Sequence, residues 1–363
     1  MIRLKLCSGF VLLFATSLPA RTIHVSVRGN DEADGVPDRP VRTISHAATL
    51  AAPGDVILVR PGIYRERVAP PRGGEAGSPI TYRAEKLGTV FIRGSELWNP
   101  EWRDEGGGVY SAAPDASLFN DDCYVDSANP FLVPLSSTPY ARDGKPESER
   151  FGEGRADLVY TCGQVIVDGV AWRQQPFLAE ARERPKTWHY HAGESRVYVN
   201  FGGAEPGDHL VEITCRRRIF APHVRGLGYI VVGGFVMEHC GNQYPTNFWR
   251  EPKWAQAGAL GLRGGHHWTV RNNIIRYANA DGIDMGSGGG DNERDSRVAG
   301  GAPFGEDNVF ERNYLIDNGA GGICGAGSKR LVFRDNVVMR NNTLGFTGKK
   351  RYEHSGFKAH GIR

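Results

Sequence analysis

Three stretches of the chain repeat one order of apolar and polar positions. They are Val270-Arg271-Asn272-Asn273-Ile274-Ile275-Arg276, Phe310-Glu311-Arg312-Asn313-Tyr314-Leu315-Ile316 and Phe333-Arg334-Asp335-Asn336-Val337-Val338-Met339. Each begins on an apolar residue, reaches Asn three positions later and enters a short apolar strand. A second strand is predicted eight residues after each Asn, at Asp281-Gly282-Ile283-Asp284, Gly321-Gly322-Ile323-Cys324 and Leu344-Gly345-Phe346-Thr347. Units repeated in register must stack, because no copy buries its apolar face alone. The Asn positions are 40 and then 23 residues apart, which fits coils of a parallel β-helix, the longer one carrying a loop. Asn tolerates tight-turn angles and bonds to the next coil, so this Asn ladder predicts architecture and not catalysis.

The N-terminal pattern predicts a strand over Thr22–Val27 and then a helix. Ile44, Ala47, Ala48 and Ala51 recur at helical spacing behind Thr43 as a cap, and Pro53-Gly54 ends the run. A short helix over 43–52 suits the role of covering the open apolar end of the stack. Strands follow over Asp55–Val59 and Ile63–Val68. Residues 99–215 break the pattern. Gln164–Trp172 is a hairpin around Asp168-Gly169, Trp188–His191 pairs with Arg196–Phe201, and His209–Thr214 is a further strand. The expected organisation is a leader over 1–20, cap and first coils over 21–98, an inserted antiparallel β-sandwich-like region over 99–215, and coils over 216–363. The fold class is all-β.

Forty-eight glycines and seven tryptophans agree with a turn-rich β protein. Net charge is +3, or +1 without Arg3 and Lys5, which gives no electrostatic case for nucleic acid or a membrane surface. Met1–Lys5 is a basic start, and Leu6–Leu18 is an apolar run too short to span a bilayer. This predicts an exported protein, secreted or periplasmic. Cys7 belongs to the leader. The remaining Cys123, Cys162, Cys215, Cys240 and Cys324 lack metal-ligand spacing. Cys123–Cys162 or Cys215–Cys240 bridges and buried thiols are both open.

Candidate chemistry lies in the coils and their insertions. A retaining glycosidase needs two carboxyl groups about 5–5.5 Å apart, and neighbouring coils stand about 4.8 Å apart. The acids available are Asp281, Asp284 and Glu353. If Ile283 points inward, Asp284 points outward, either lining a groove or as a solvated turn acid. Its matches on the next coils, Cys324 and Thr347, add no second acid. Lys358 and His360 alternate with apolar places and share one face. Trp249 and Trp254, beside Tyr244 and Phe248, are the sugar-stacking candidates, with packing against the inserted region as the other reading. His266-His267 lacks a third ligand and Gly288–Asp295 lacks calcium-loop spacing, so no metal and no cofactor are expected.

Gly29-Asn30-Asp31, Pro40, Thr43-Ile44, Pro53-Gly54-Asp55, Pro61-Gly62 and Tyr64-Arg65-Glu66 resemble the start of exported bacterial right-handed β-helix proteins that act on polysaccharides. Gly94-Ser95-Glu96, Asn200-Phe201, Glu212-Ile213, Arg216-Arg217, Gly234-Phe235 and Asn272-Asn273-Ile274-Ile275 extend the resemblance to the β-xylosidases of glycoside hydrolase family 120. That resemblance implies a right-handed, pectin-lyase-like β-helix interrupted by a sandwich-like region, acting on β-xylosidic oligo- or polysaccharides. Near the end, Glu353, Gly356, Lys358 and His360 are similar to the family pattern Glu-x-x-Gly-Ile-Lys-Leu-His, with Phe357 and Ala359 at the apolar places. In the family the catalytic Asp and Glu follow this segment. The chain is therefore expected to be C-terminally truncated, with Glu353, Lys358 and His360 as supporting residues and the catalytic pair unassigned. Two other readings are a polysaccharide lyase with Lys358 as base and a non-catalytic glycan-binding protein.

Overall fold

The computed structural model describes residues 20–121, 127–133, 160–243, 258–285, 305–326, 328–344 and 356–360. Alternation along each short strand sends every second residue inward, and stacking the coils turns these residues into continuous files. Among the described residues, three parallel sheets share one core.

The first sheet holds Thr22–Val25, Val56–Val59, Ile80–Ala84, Ile230–Gly233, Thr269–Arg271, Val309–Glu311 and Val332–Arg334. Its inward file runs Ile23, Ile57, Tyr82, Val232, Val270, Phe310, Phe333. The second sheet holds Gly62–Tyr64, Val90–Arg93, Val236–Glu238, Ile274–Arg276, Tyr314–Ile316 and Val337–Met339. Its inward file runs Tyr64, Ile92, Met237, Ile275, Leu315, Val338. The third holds Gly258–Gly261, Asp281–Asp284, Ile323–Ala326 and Phe357–His360, and single bridges at Val68 and Phe220 continue it towards the N-terminus. The fold is a right-handed parallel β-helix, as the repeats and the resemblance implied.

The Asn ladder is present, but its local reason differs from the expected one. The left-handed residue at each corner is the one before the Asn: Asn272, Arg312 and Asp335 have φ of 57°, 53° and 56°. That turn points the next side chain into the stack. Asn273 then donates through its backbone N–H and Nδ2 to Asn313 Oδ1 at 3.1 Å, and Asn313 does the same to Asn336 at 2.9 Å. A second ladder runs one corner further on, where Asn318 donates to Asn341 Oδ1 at 3.0 Å. The predicted strand at Leu344–Thr347 is corrected. Leu344 sits in a turn, residues 345–355 lie outside the described residues, and the strand that pairs with Ile323–Ala326 is Phe357–His360.

The cap helix spans Ile44–Leu50, with the Thr43 side chain accepting from the His46 N–H and Ile44, Ala47 and Ala48 buried. Glu66 holds its first turn, accepting from the N–H groups of Ile44 at 2.9 Å and Ser45 at 2.8 Å. Burial pushes the Glu66 carboxyl up despite these donors. The residues on either side of Glu66 reach elsewhere: Arg65 to Glu212 at 2.5 Å and Arg67 to Asp121 at 2.8 Å.

The inserted region is an eight-stranded sheet in the order Ser95–Leu97, Val211–Thr214, Val165–Val167, Val170–Gln174, Thr187–His191, Arg196–Asn200, Val109–Ala112, Arg103–Asp104. Asp168 and Gly169, both at positive φ, make the expected hairpin turn. One pair departs from the antiparallel expectation. Arg173-Gln174 runs parallel to Thr187-Trp188, because the helix Leu178–Glu183 carries the chain across between them. Both halves face one core that includes Val165, Ile213, Trp188 and Val199, the sandwich-like arrangement expected.

This sheet is fastened to the second sheet of the β-helix by buried charge. Arg93, Glu238 and Arg276 are register neighbours on the outer face. Arg93 reaches Glu238 at 2.7 Å and Glu212 at 3.2 Å, while Arg276 reaches Glu238 at 2.7 Å. Ser95 Oγ lies 3.1 Å from His239 Nδ1. Burial pushes His239 down to about 4, against the opposing pull of Glu238 and Glu212. Burial raises the Glu238 carboxyl, but His239 and the guanidinium groups outweigh it and leave it below its ordinary value.

A histidine depressed on folding binds its proton first in the unfolded chain. Its contribution is therefore complete above about pH 6.5 and lost as pH falls towards 4. We expect stability to drop on the order of 3 kcal/mol over that window, with Glu238 adding in the same direction below it. Urea unfolding at pH 7, 5.5 and 4.5 measures this. An unchanged pH slope in His239→Gln would remove His239 as the cause.

Candidate functional site

The outer face of the third sheet collects the polar residues that the core does not need. Its inward file is Val68, Phe220, Leu260, Ile283, Ile323, Phe357. Beside it, Gly261 pairs with Asp284, Asp284 with Cys324, and Cys324 with Lys358. On the other side Gly258 pairs with Asp281. A Cβ at Gly258 would lie 2.2 Å from the Asp284 backbone nitrogen, so glycine is required there. Glycines thus stand in register with both carboxyl groups on the preceding coil.

Ile283 points inward, as expected, but Asp284 is not a solvated turn acid. Asp281 and Asp284 sit within a strand and are both 0 % exposed. Cys324 Sγ donates to Asp281 Oδ2 at 3.5 Å. Asn242 fixes the start of that strand, donating to the Asp281 carbonyl at 2.8 Å and accepting from the Ala280 N–H at 2.8 Å. The C-terminal neighbours of Asp284 are Cys324 and then Lys358, which replaces the expected Thr347. Its rung neighbours on both sides, Gly261 and Cys324, are not acids. Asp284 therefore has no cross-rung carboxyl partner, of the kind a retaining mechanism requires, on the two described coils beside it.

Towards the N-terminus the same face is rich in guanidinium groups. Arg67 grips both oxygens of Asp121 at 2.9 and 2.8 Å and donates to the Ala221 carbonyl at 3.3 Å. Arg217, buried, donates to the Ser127 carbonyl at 3.0 Å and Gln243 Oε1 at 3.2 Å. Arg218, also buried, bonds to the Arg217 carbonyl at 2.7 Å. Arginines thus lie towards the N-terminal end of this sheet and Asp281 and Asp284 further along it. Arg217, Arg218, Asp281 and Asp284 are buried, and the arginines are bonded within the protein. Arg67, Asp121 and Gln243 carry no sequence motif, and only the register to Val68 and Phe220 brings them here.

Of the sequence candidates, Asp284 falls on this face and Lys358 falls in register with it. His360 pairs with Ala326 on the same strand. Trp249, Trp254 and Glu353 lie outside the described residues. In sequence, residues 244–257 precede Gly258 and residues 286–304 follow Met285. Cys162, Cys215, Cys240 and Cys324 are buried, and Cys215 and Cys240 are not bridged, while Cys123 lies outside the described residues. Burial pushes the Cys215 and Cys240 thiols up to about 12, which rules them out as nucleophiles.

By fold, this is a pectin-lyase-like parallel β-helix with an inserted sheet. A family model described as a protein of unknown function (DUF1565) matches residues 27–70, the stretch holding the cap helix, Glu66 and Arg67. The uncharacterized protein YwoF of Bacillus subtilis is 35% identical over 80 residues, 22% of this chain and 17% of that protein. The pectate lyase PEL9 of Emericella nidulans is 36% identical over 90 residues, 24% of this chain and 22% of the lyase. Among solved structures, XylC in complex with xylose superposes with a TM-score of 0.72 at 24% identity, over 92% of this chain and 55% of XylC. The chain thus spans about half the length of XylC and a smaller share of the two sequence relatives.

Proposed function

We propose that the chain is the β-helix part of an exported carbohydrate-active protein of the glycoside-hydrolase type, acting on β-xylosidic or related glycans. The observation that carries this reading is the agreement of fold, coils and inserted sheet together, with XylC, a protein solved with xylose bound. The glycan lies along the outer side of the third sheet, above the buried Asp284 and the buried arginines. The described coils bind and orient the substrate, and no catalytic pair is assigned to them. The basic and apolar leader directs the protein to the periplasm or beyond.

A second reading, a polysaccharide lyase, is favoured by the 36% identity to PEL9 over 90 residues. A lyase needs a base beside a neutralised uronate, and Lys358 is the candidate base.

Calorimetric titration with xylotriose and with trigalacturonate separates the two. Xylotriose is expected to bind, and Asp284→Asn to weaken it about tenfold, or about 1.4 kcal/mol, through the position of the strand above which the sugar lies. Preferential binding of trigalacturonate, with ultraviolet absorbance from an unsaturated product, would transfer the protein to the lyase reading. A folded protein that binds neither sugar ends both.

A further inference from the structure

Tyr229, His267, Asp307 and Arg330 occupy the same corner of four successive coils, just before strands of the first sheet. All four have left-handed backbone, with φ of 55°, 54°, 56° and 49°. Each therefore makes the same turn, and their side chains form one column. The His267 ring stacks on Tyr229 with centroids 4.6 Å apart. Its Nε2 lies 3.4 Å from Asp307 Oδ2, and Arg330 grips Asp307 at 2.7 and 2.6 Å. His266 stands perpendicular to His267, with Tyr229 edge-on beside it. Its Cε1 lies so close to Gly228 that a Cβ there would be 2.2 Å away. Held on these sides, the two half-buried rings bring their Nδ1 atoms to 2.9 Å. Adjacent histidines are plain in the sequence, but the convergence of their Nδ1 atoms is not.

We propose that His266 and His267 form a binding site for a square-planar divalent cation, copper(II) before nickel(II). Two nitrogens about 2.0–2.1 Å from one metal stand about 2.9 Å apart at a right angle and about 3.4 Å apart at the tetrahedral angle. The separation of 2.9 Å here is the right-angle value, which disfavours zinc. Copper(II) also leads the affinity order at nitrogen sites. Asp307, beside Nε2, draws the proton of neutral His267 to that nitrogen and leaves Nδ1 to the metal, as outer carboxylates do for metal-binding histidines. The metal replaces the proton between the two Nδ1 atoms, and that proton passes to His266 Nε2, so both rings bind neutral. Burial, with His267 adding to it, holds His266 below its ordinary value and keeps it neutral at pH 7. Among the described residues no third His, Cys, Asp or Glu completes the set, so water fills the other positions. The site draws on none of Asp281, Asp284 or the arginines of the third sheet.

Electron paramagnetic resonance of the untagged full chain with one equivalent of copper(II), alongside calorimetric titration, tests this. The expected spectrum is tetragonal with splitting from two imidazole nitrogens, and the dissociation constant is on the order of 1–10 μM. His267→Gln is expected to weaken binding at least about tenfold, and Asp307→Asn about tenfold through the ring it orients. His191→Gln, in a histidine pair on the inserted sheet whose rings stand 6.3 Å apart, leaves binding unchanged. The nitrogen count of the wild-type protein stands whether or not a variant folds. Fewer than two nitrogens, zinc bound more tightly than copper, or copper binding that is unchanged in His267→Gln or lost in His191→Gln overturns the proposal.

Discussion

Glu212→Ala is expected to cost about 3–5 kcal/mol of folding free energy, read as a shift of the urea midpoint. Glu212 is fully buried and holds Arg65 at 2.5 Å and Arg93 at 3.2 Å, with Ser95 Oγ donating at 3.3 Å. Desolvating the pair is costly in itself, and deleting one partner leaves the other charge without its counter-ion. Arg93 keeps Glu238 at 2.7 Å, so Arg65 is the group left stranded. The double change Glu212→Ala with Arg65→Met should therefore recover a large part of the loss. Limited proteolysis adds a local readout: the inserted region should be cut before the coils are. A Glu212→Ala protein within about 1 kcal/mol of wild type would show that this joint contributes little.

Asn313→Ala should cost about 3–4 kcal/mol, well above the typical surface substitution. Asn313 accepts two hydrogen bonds from Asn273 and donates to the Val270 carbonyl at 2.8 Å and to Asn336 at 2.9 Å. Truncation strands the Asn273 N–H and the Val270 carbonyl inside the stack, where water does not replace the lost side chain. Asn336→Ala removes the same chemistry one coil later, at a half-buried rung, and should cost only about 1–2 kcal/mol because solvent reaches that edge. Equal losses at the two positions would show that the ladder is not graded by burial.

The parts of this fold that were legible in the sequence are those fixed by local period. The Val270, Phe310 and Phe333 units gave the coils, Thr43 with Ile44, Ala47 and Ala48 gave the cap helix, and Asp168-Gly169 gave a hairpin. What escaped depends on partners distant along the chain. Arg65, Arg93, Glu212, Glu238 and Arg276 are ordinary surface residues until the inserted sheet closes over them. The second Asn ladder was hidden because its first rung is Ala278, whose N–H still bonds to Asn318 Oδ1 at 3.0 Å. The last strand of the third sheet was misplaced because residues 345–355 break the period between corner and strand. Asp284 could be placed on the outer side of its strand, but its burial depends on what packs above it, which no periodicity encodes.

The tripeptide Arg65-Glu66-Arg67 also bears on how the chain is made. Its side chains grip the cap helix behind it and, ahead of it, Asp121 and Glu212. On the ribosome these grips emerge before either forward partner has been synthesised. The first coils can therefore close under their helix and wait as a template on which the later segment lands. A mutation that loosens residues 65–67 should act on the yield of correctly assembled nascent protein more strongly than on the melting of protein already folded.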